Sequence, residues 1–201
     1  MSEYENVKPR FEFRTFAKSL DDKLLDIVRN QHTCAGFRQS VEVYIMAAGN
    51  QLNNTKLRDD KMDIKCFVKN QDGFEQWNPL AKFRFPLAAK RIQDELFPAF
   101  SLPCPNLDRE EYTQSQFLEE IISKHSGLVG VNVLKRRFGT TICNCIAEYA
   151  EVEFNGAPFL SISIESTELD DLNAAKDLLG LERHENINYL KAIKRVIGMA
   201  N

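Results

Sequence analysis

Arg10-Phe11-Glu12-Phe13-Arg14 alternates charged and aromatic side chains at every step, the period-two pattern of a β-strand with one polar and one apolar face. The pattern recurs along the chain. Lys56-Leu57-Arg58 and Lys82-Phe83-Arg84 repeat it, Asp63-Ile64-Lys65 is a mixed-sign version, and Lys135 and Arg137 have the same spacing. Strand after strand therefore presents long cations on one face: Arg10, Arg14, Lys56, Arg58, Lys65, Lys82, Arg84, Lys135 and Arg137. Side chains two apart on a pleated strand stand next to each other and can reach one ligand. A solvated sheet face normally mixes signs, because like charges opposite one another repel. Here nine cations share their faces with only three carboxylates, Glu12, Asp63 and Glu165, and with Ser161 and Ser163. Setting these aside leaves 17 of the 26 basic and 26 of the 29 acidic residues elsewhere, a balance of −9. A basic lining within an acidic protein focuses its field on an anion. A plain solvated face is the alternative.

The segments between these strands supply the remaining elements. Ser19–Asn30 has Leu20, Leu24, Ile27 and Val28 at helical spacing, with Ser19 as N-cap. Val41–Ile45 reads as a strand, and Asn53–Arg58 and Met62–Val68 as two strands about a turn at Asp59-Asp60. Leu80–Pro86 alternates again. Leu87–Phe97 and Thr113–Lys124 are helical, and Pro98, Pro103 and Pro105 interrupt the chain between them. Gly130–Phe138, Thr141–Tyr149, Ala150–Phe154 and Phe159–Ser166 form a run of strands, with Asn155-Gly156 as a hairpin turn. Helices over Leu169–Leu179 and Ile187–Met199 follow, with the acidic stretch from Glu168 to Asp171 at the start of the first. About eight strands and four or five helices without regular βαβ alternation define an α+β class. Pro103–Asp108 is the only linker-like stretch and is too short to divide the chain, so residues 1–201 are expected to form a single domain.

With 201 residues, 43% hydrophobic and 27% charged, the chain has the composition of a globular protein with its own core. No apolar run approaches the roughly 18 residues of a membrane span. The opening Met1-Ser2-Glu3-Tyr4-Glu5 lacks the apolar stretch of a secretory signal. A net charge of −3 argues against broad nucleic-acid binding. Cys34, Cys66, Cys104, Cys143 and Cys145 are odd in number and lack zinc spacing, and His32, His125 and His184 are far apart. Free thiols in a reducing cytoplasm are the expectation, with Cys143 and Cys145 on one face of a strand. There is no GxxxxGK[ST], no GxGxxG and no nucleophile elbow. Trp77 and Tyr44 are expected to be packing aromatics, Tyr44 with a hydrogen-bonded hydroxyl.

The ordered set of motifs resembles the triphosphate tunnel metalloenzyme superfamily, the CYTH domain. Arg10-Phe11-Glu12-Phe13-Arg14 sits where that family has E-x-E-x-K, and Val41-Glu42-Val43-Tyr44-Ile45 is similar to its acidic-x-Tyr strand. Lys56-Leu57-Arg58 resembles R-x-R, Asp63-Ile64-Lys65 resembles T-x-K, Lys135-Arg136-Arg137 resembles K-x-R, and Ser163-Ile164-Glu165 resembles the closing E-x-E. The terminal helices, with Asn188-Tyr189-Leu190, are similar as well. The chain also departs from the pattern. Arg10 replaces a glutamate, Lys82-Phe83-Arg84 stands for R-x-E, Ser163 replaces a glutamate, and Ala150 stands where an acid is expected, with Glu148 or Glu151 as substitutes.

The resemblance implies an antiparallel eight-stranded β-barrel with flanking helices, holding a triphosphate in its lumen. Tripolyphosphate, a nucleoside triphosphate or thiamine triphosphate would be the ligand. Glu12 and Glu165 are the implied catalytic and metal-binding residues, with Glu148 a weaker metal ligand and Mg²⁺ or Mn²⁺ the implied ion. Arg10, Arg14, Lys56, Arg58, Lys65, Lys82, Arg84, Lys135 and Arg137 would bind phosphate. The implied activity is metal-dependent triphosphatase hydrolysis of a small molecule. No membrane partner is implied, and the one form of nucleic acid that would fit is a 5′-triphosphate end. Two alternatives remain: a noncatalytic binder of polyphosphate or nucleotide on the same fold, and an α+β interaction domain whose basic faces are surface.

Overall fold

The computed structural model describes residues 9–22, 24–26 and 36–199. Of the helix expected over Ser19–Asn30, residues 22 and 24–26 are helical and residues 23 and 27–30 lie outside the described residues, as do His32 and Cys34. The chain forms β1 (Phe11–Ala17), β2 (Gly36–Met46), β3 (Asn53–Arg58), β4 (Lys61–Gln71) and β5 (Phe74–Arg84). A short β6 (Leu87–Ala88) leads into continuous helical pieces Ala89–Arg91, Ile92–Leu96 and Phe97–Phe100, together α1. β7 (Glu111–Tyr112) precedes α2, made of Gln114–Gln116 and Phe117–Ile122. Then come β8 (Val129–Ile142), β9 (Cys145–Phe154), β10 (Ala157–Ser166), α3 (Leu169–Leu179) and α4 (Tyr189–Ile197). No helix of the described residues is long and apolar enough to cross a membrane.

Eight strands close an antiparallel barrel in the order β1-β10-β9-β8-β2-β3-β4-β5, with β5 returning to β1. The hairpin turns are two residues long with positive φ at both positions: Asp59–Asp60, Asp72–Gly73, Cys143–Asn144 and Asn155–Gly156. This backbone twist matches the strands it joins, and Asn, Asp and Gly tolerate it best. Cys143 accordingly occupies a turn with φ 47°, which corrects the expectation that it shares a strand face with Cys145. The turn also divides the strands differently from the sequence reading: Thr141 and Ile142 end β8, and Cys145–Phe154 is one strand rather than parts of two. β5 begins at Phe74, six residues before the alternation becomes visible at Leu80.

Helices cover two parts of the outer face. Ile45, Leu57, Met62, Ile64 and Phe83 pack beneath α1 and α2 through Ile92, Leu96, Phe97, Phe117 and Ile121. Thr113 starts α2 with a reciprocal capping box to Gln116. On the opposite side Phe13, Ala147, Ile162 and Ile164 pack against Leu172, Ala175 and Leu179 of α3.

A third cluster lies inside the barrel. Tyr44, Val131, Val133, Ala150, Val152 and Phe154 meet Tyr189, Leu190, Ala192 and Ile193 of α4. The register puts these strand residues on the same inner face as Lys135, so α4 plugs one end of the barrel. Its fully buried Lys194 donates to the carbonyls of Ala48 and Asn50, each at 2.8 Å, which fastens the plug to the β2–β3 connection.

Candidate functional site

The inner face above the plug lines a partly open cavity of about 160 Å³. Its lining includes Glu12, Arg14, Lys56, Lys65, Lys135, Arg137, Glu148 and Glu165. These come from β1, β3, β4, β8, β9 and β10, joined by the barrel's closure. Tyr44, Asn54, Asp63, Trp77, Asn188 and Tyr189 complete the wall. Tyr44 is both the hydrogen-bonded core residue that was expected and part of this wall, and Trp77 lines the cavity as well.

Four of the expected phosphate ligands lie outside this lining. Arg58 contacts Glu42 at 3.4 Å, with Asp59 and Asp63 each 3.7 Å away. Lys82 faces Asp63 at 3.7 Å. Arg84 is exposed opposite Lys61, and Arg10 approaches Glu165 at 3.9 Å from a half-exposed position. The inner face is also more acidic than alternation alone suggested. Register adds Glu42 opposite Val133, Glu75 opposite Glu12, and Glu148 opposite Ser163. Of the two glutamates that could replace the acid missing at Ala150, Glu148 faces inward. Glu151 lies on the outer face against Arg136 at 3.5 Å.

The charges segregate into two walls. On one, Lys56, Lys65, Lys135 and Arg137 rise from β3, β4 and β8. Beneath them Glu42, with no exposed surface, meets Lys135 at 2.8 Å and Lys56 at 3.2 Å. Burial pushes the Glu42 carboxyl up, but Lys135, Lys56 and Arg58 outweigh it and hold the group far below its ordinary value. Lys135 donates to the Tyr44 hydroxyl at 2.7 Å and lies 3.8 Å above the Tyr189 ring. Burial, then the neighbouring Lys56 charge, pushes its ammonium well below the usual lysine range, and Glu42 offsets this only in part. Lys56 is lowered as well, again chiefly by burial. Burial raises the Tyr44 and Tyr189 hydroxyls, which stay protonated.

The facing wall, from β1, β9 and β10, carries Glu12, Glu148 and Glu165, with Arg14 among them. Arg14 Nε donates to Glu12 at 2.5 Å, while Nη1 lies 3.5 Å from Glu148 and 3.3 Å from the Ser161 hydroxyl. Glu12 and Glu165 are direct cross-strand partners. Burial raises both carboxyls. In Glu12 the combined charges of Arg14, Lys65 and Lys135 prevail and lower it. In Glu165 burial and the Glu12 charge prevail and raise it.

Among the described residues no three or more Asp, Glu, His or Cys side chains gather closely enough to hold an ion. Glu12 and Glu148 are each engaged by the Arg14 guanidinium instead, and Glu165 is approached by Arg10. The residues as arranged do not fit a protein-held divalent ion.

Sequence reasoning missed Glu42 and Glu75 as inner-face acids and the contribution of Asn54, Asn188 and Tyr189. For Glu42 a signal was present, since Glu42-x-Tyr44 has the spacing that places both on one face.

No protein-family model matches the sequence, and no curated protein matches it. Solved structures do. A candidate adenylate cyclase from Bacillus halodurans superposes with a TM-score of 0.54 at 10% identity, over 92% of this chain and 98% of that one. A candidate adenylyl cyclase from Hippeastrum, described as having a dominant triphosphatase activity, is 12% identical over 96% of this chain and 97% of its own, with a TM-score of 0.49. A Pyrococcus horikoshii protein is 17% identical over 94% and 99%, with a TM-score of 0.47. At such identities the likeness defines the fold. The closed eight-stranded antiparallel barrel with flanking helices is a CYTH-like fold.

Proposed function

We propose that this chain is a single CYTH-like domain, working in the cytoplasm, whose lumen binds a triphosphate-type anion. Tripolyphosphate is the minimal form, and a nucleoside or thiamine triphosphate is an extended one. The observation that carries this reading is the convergence of Lys56, Lys65, Lys135 and Arg137 from three strands on one cavity. Lys135 is the strongest element of it. Its ammonium is held with its charge disfavoured by burial, so an arriving anion supplies what the site lacks. Arginine gives directional, bidentate phosphate contacts and lysine a point charge, and the lumen offers both. A cavity of about 160 Å³ suits a short phosphate chain better than the roughly 300–1,000 Å³ of organic ligand pockets. The organic part of a larger triphosphate would therefore project from the open end.

Hydrolysis is the second reading. It draws on the Glu12–Glu165 pair, in which one carboxyl is driven toward the ionised form and the other toward the protonated form. Pairs pushed apart in this way suit base and acid roles.

A thermal-shift titration with tripolyphosphate, with released phosphate followed in the same samples, tests both readings. A ligand bound only by the native state raises the melting temperature. Stabilisation with release supports the hydrolase, and stabilisation without release supports the binder. The absence of any shift at low salt removes the tunnel reading.

A further inference from the structure

The acidic wall already contains a cation. Arg14 is buried, its guanidinium spans Glu12 and Glu148, and it touches the Ser161 hydroxyl. Its Cζ lies 5.0 Å from the Tyr189 ring centroid, so the aromatic plug backs it from below. The backbone is fixed too. Arg14 N–H donates to Asn186 Oδ1 at 2.9 Å, and the Arg14 carbonyl accepts from Ile187 N–H at 2.7 Å. A guanidinium does not lose its proton at any accessible pH. Glu12 and Glu148 thus face a permanent, well-anchored charge, and Arg10 lies beside Glu165 at the rim.

We propose that Arg14 is the resident counter-ion of the acidic wall, and that the lumen takes its triphosphate-type anion without a divalent metal. Arg14 then does two things at once. It neutralises carboxylates that would repel phosphate, and it repels a dication that would settle between them. Its side chain is a positioning and specificity element fixed by the fold. The ligand half of this inference rests on the function proposed above, whereas the half that concerns Arg14 and the carboxylates does not.

Two arms separate them. In the first, Mn²⁺ alone is titrated and free ion is followed by its electron paramagnetic resonance signal. The wild-type protein is expected to leave Mn²⁺ free, and Arg14→Met to gain a site at least about tenfold tighter, because the Glu12 and Glu148 carboxylates are released beside Glu165. Tight Mn²⁺ binding by the wild type, or no gain in an Arg14→Met protein that shows the wild-type fold by circular dichroism, overturns the proposal, and Arg14→Lys, which keeps the cation, is expected to leave Mn²⁺ free. In the second arm, calorimetry with tripolyphosphate is run in EDTA and in Mg²⁺. The wild type is expected to bind equally well or better in EDTA, since Mg²⁺ screens the free ligand. Binding that requires Mg²⁺ overturns the proposal. Failure of tripolyphosphate to bind in either medium overturns the triphosphate reading, and the first arm still decides the role of Arg14.

Discussion

Glu42 is the residue on which the basic wall depends. It carries no exposed surface and holds two lysines and an arginine. Removing one partner of a buried ionic cluster typically costs about 3–5 kcal/mol, because the other charges stay buried unpaired. Glu42→Gln is expected to lose stability of that order in chemical denaturation at neutral pH. The pH dependence follows from the depressed carboxyl. Its stabilisation is fully present above the unfolded-state value and is lost as pH falls toward the lower folded one. The wild type should therefore lose stability below about pH 4.5 more steeply than Glu42→Gln does. Among the cations, position separates roles that spacing does not. Lys135→Met is expected to abolish the tripolyphosphate-induced thermal shift. Arg58→Ala, outside the cavity lining and held by Glu42, Asp59 and Asp63, should weaken it by less than about tenfold, the range of a screened charge.

The elements were legible wherever local chemistry dictates them. β3 and α3 run between the residues that alternation and helical periodicity mark, because polar and apolar faces are separated along their whole length. Asp59–Asp60 and Asn155–Gly156 announce their turns, whereas Cys143–Asn144 does not, since cysteine has no turn preference of its own. The plug was hidden for a different reason. Along β8 the inner face runs Val131, Val133, Lys135, Arg137, changing from apolar to cationic halfway. Along β9 the inner face likewise turns from apolar to charged, through Phe154, Val152 and Ala150 to the acidic Glu148. Periodicity assigns each strand two faces but not two halves, so nothing local shows that a helix fills one end. The acidic wall was only partly legible, because Glu148 and Glu151 could be told apart only through register. Since α4 is held by side chains inside the barrel, Ile193→Ala is expected to cost about 2–5 kcal/mol, the range for large-to-small core changes. It should also weaken tripolyphosphate binding by releasing Tyr189 from beneath Lys135. Paired denaturation and thermal-shift measurements check both effects.

At the scale of the molecule, the barrel is uneven around its circumference. Among the described residues β2 and β8 pair along eleven positions, whereas β1 and β5 pair only at Phe11–Gln76 and Glu12–Glu75. Asn186 supports this short seam: its Nδ2 donates to the Gly73 carbonyl at 2.6 Å, while its Oδ1 holds Arg14 N–H. Stability is rarely uniform across a fold, and regions with few bonds open first. Amide hydrogen exchange should therefore be fastest at the β1–β5 seam among the barrel strands and slowest along β2–β8, with ligand slowing exchange at the seam. The order of synthesis adds a further consequence. β1 is made first, yet its full-length partner is β10, about 150 residues later, and the asparagine that clasps it comes later still. On the ribosome, the edge of β1 that pairs with β10 must wait bare until that strand is made, so this barrel can close only after synthesis of its last strand. Cells that shorten that wait, by faster elongation or by chaperone shielding of the nascent chain, should recover more folded protein.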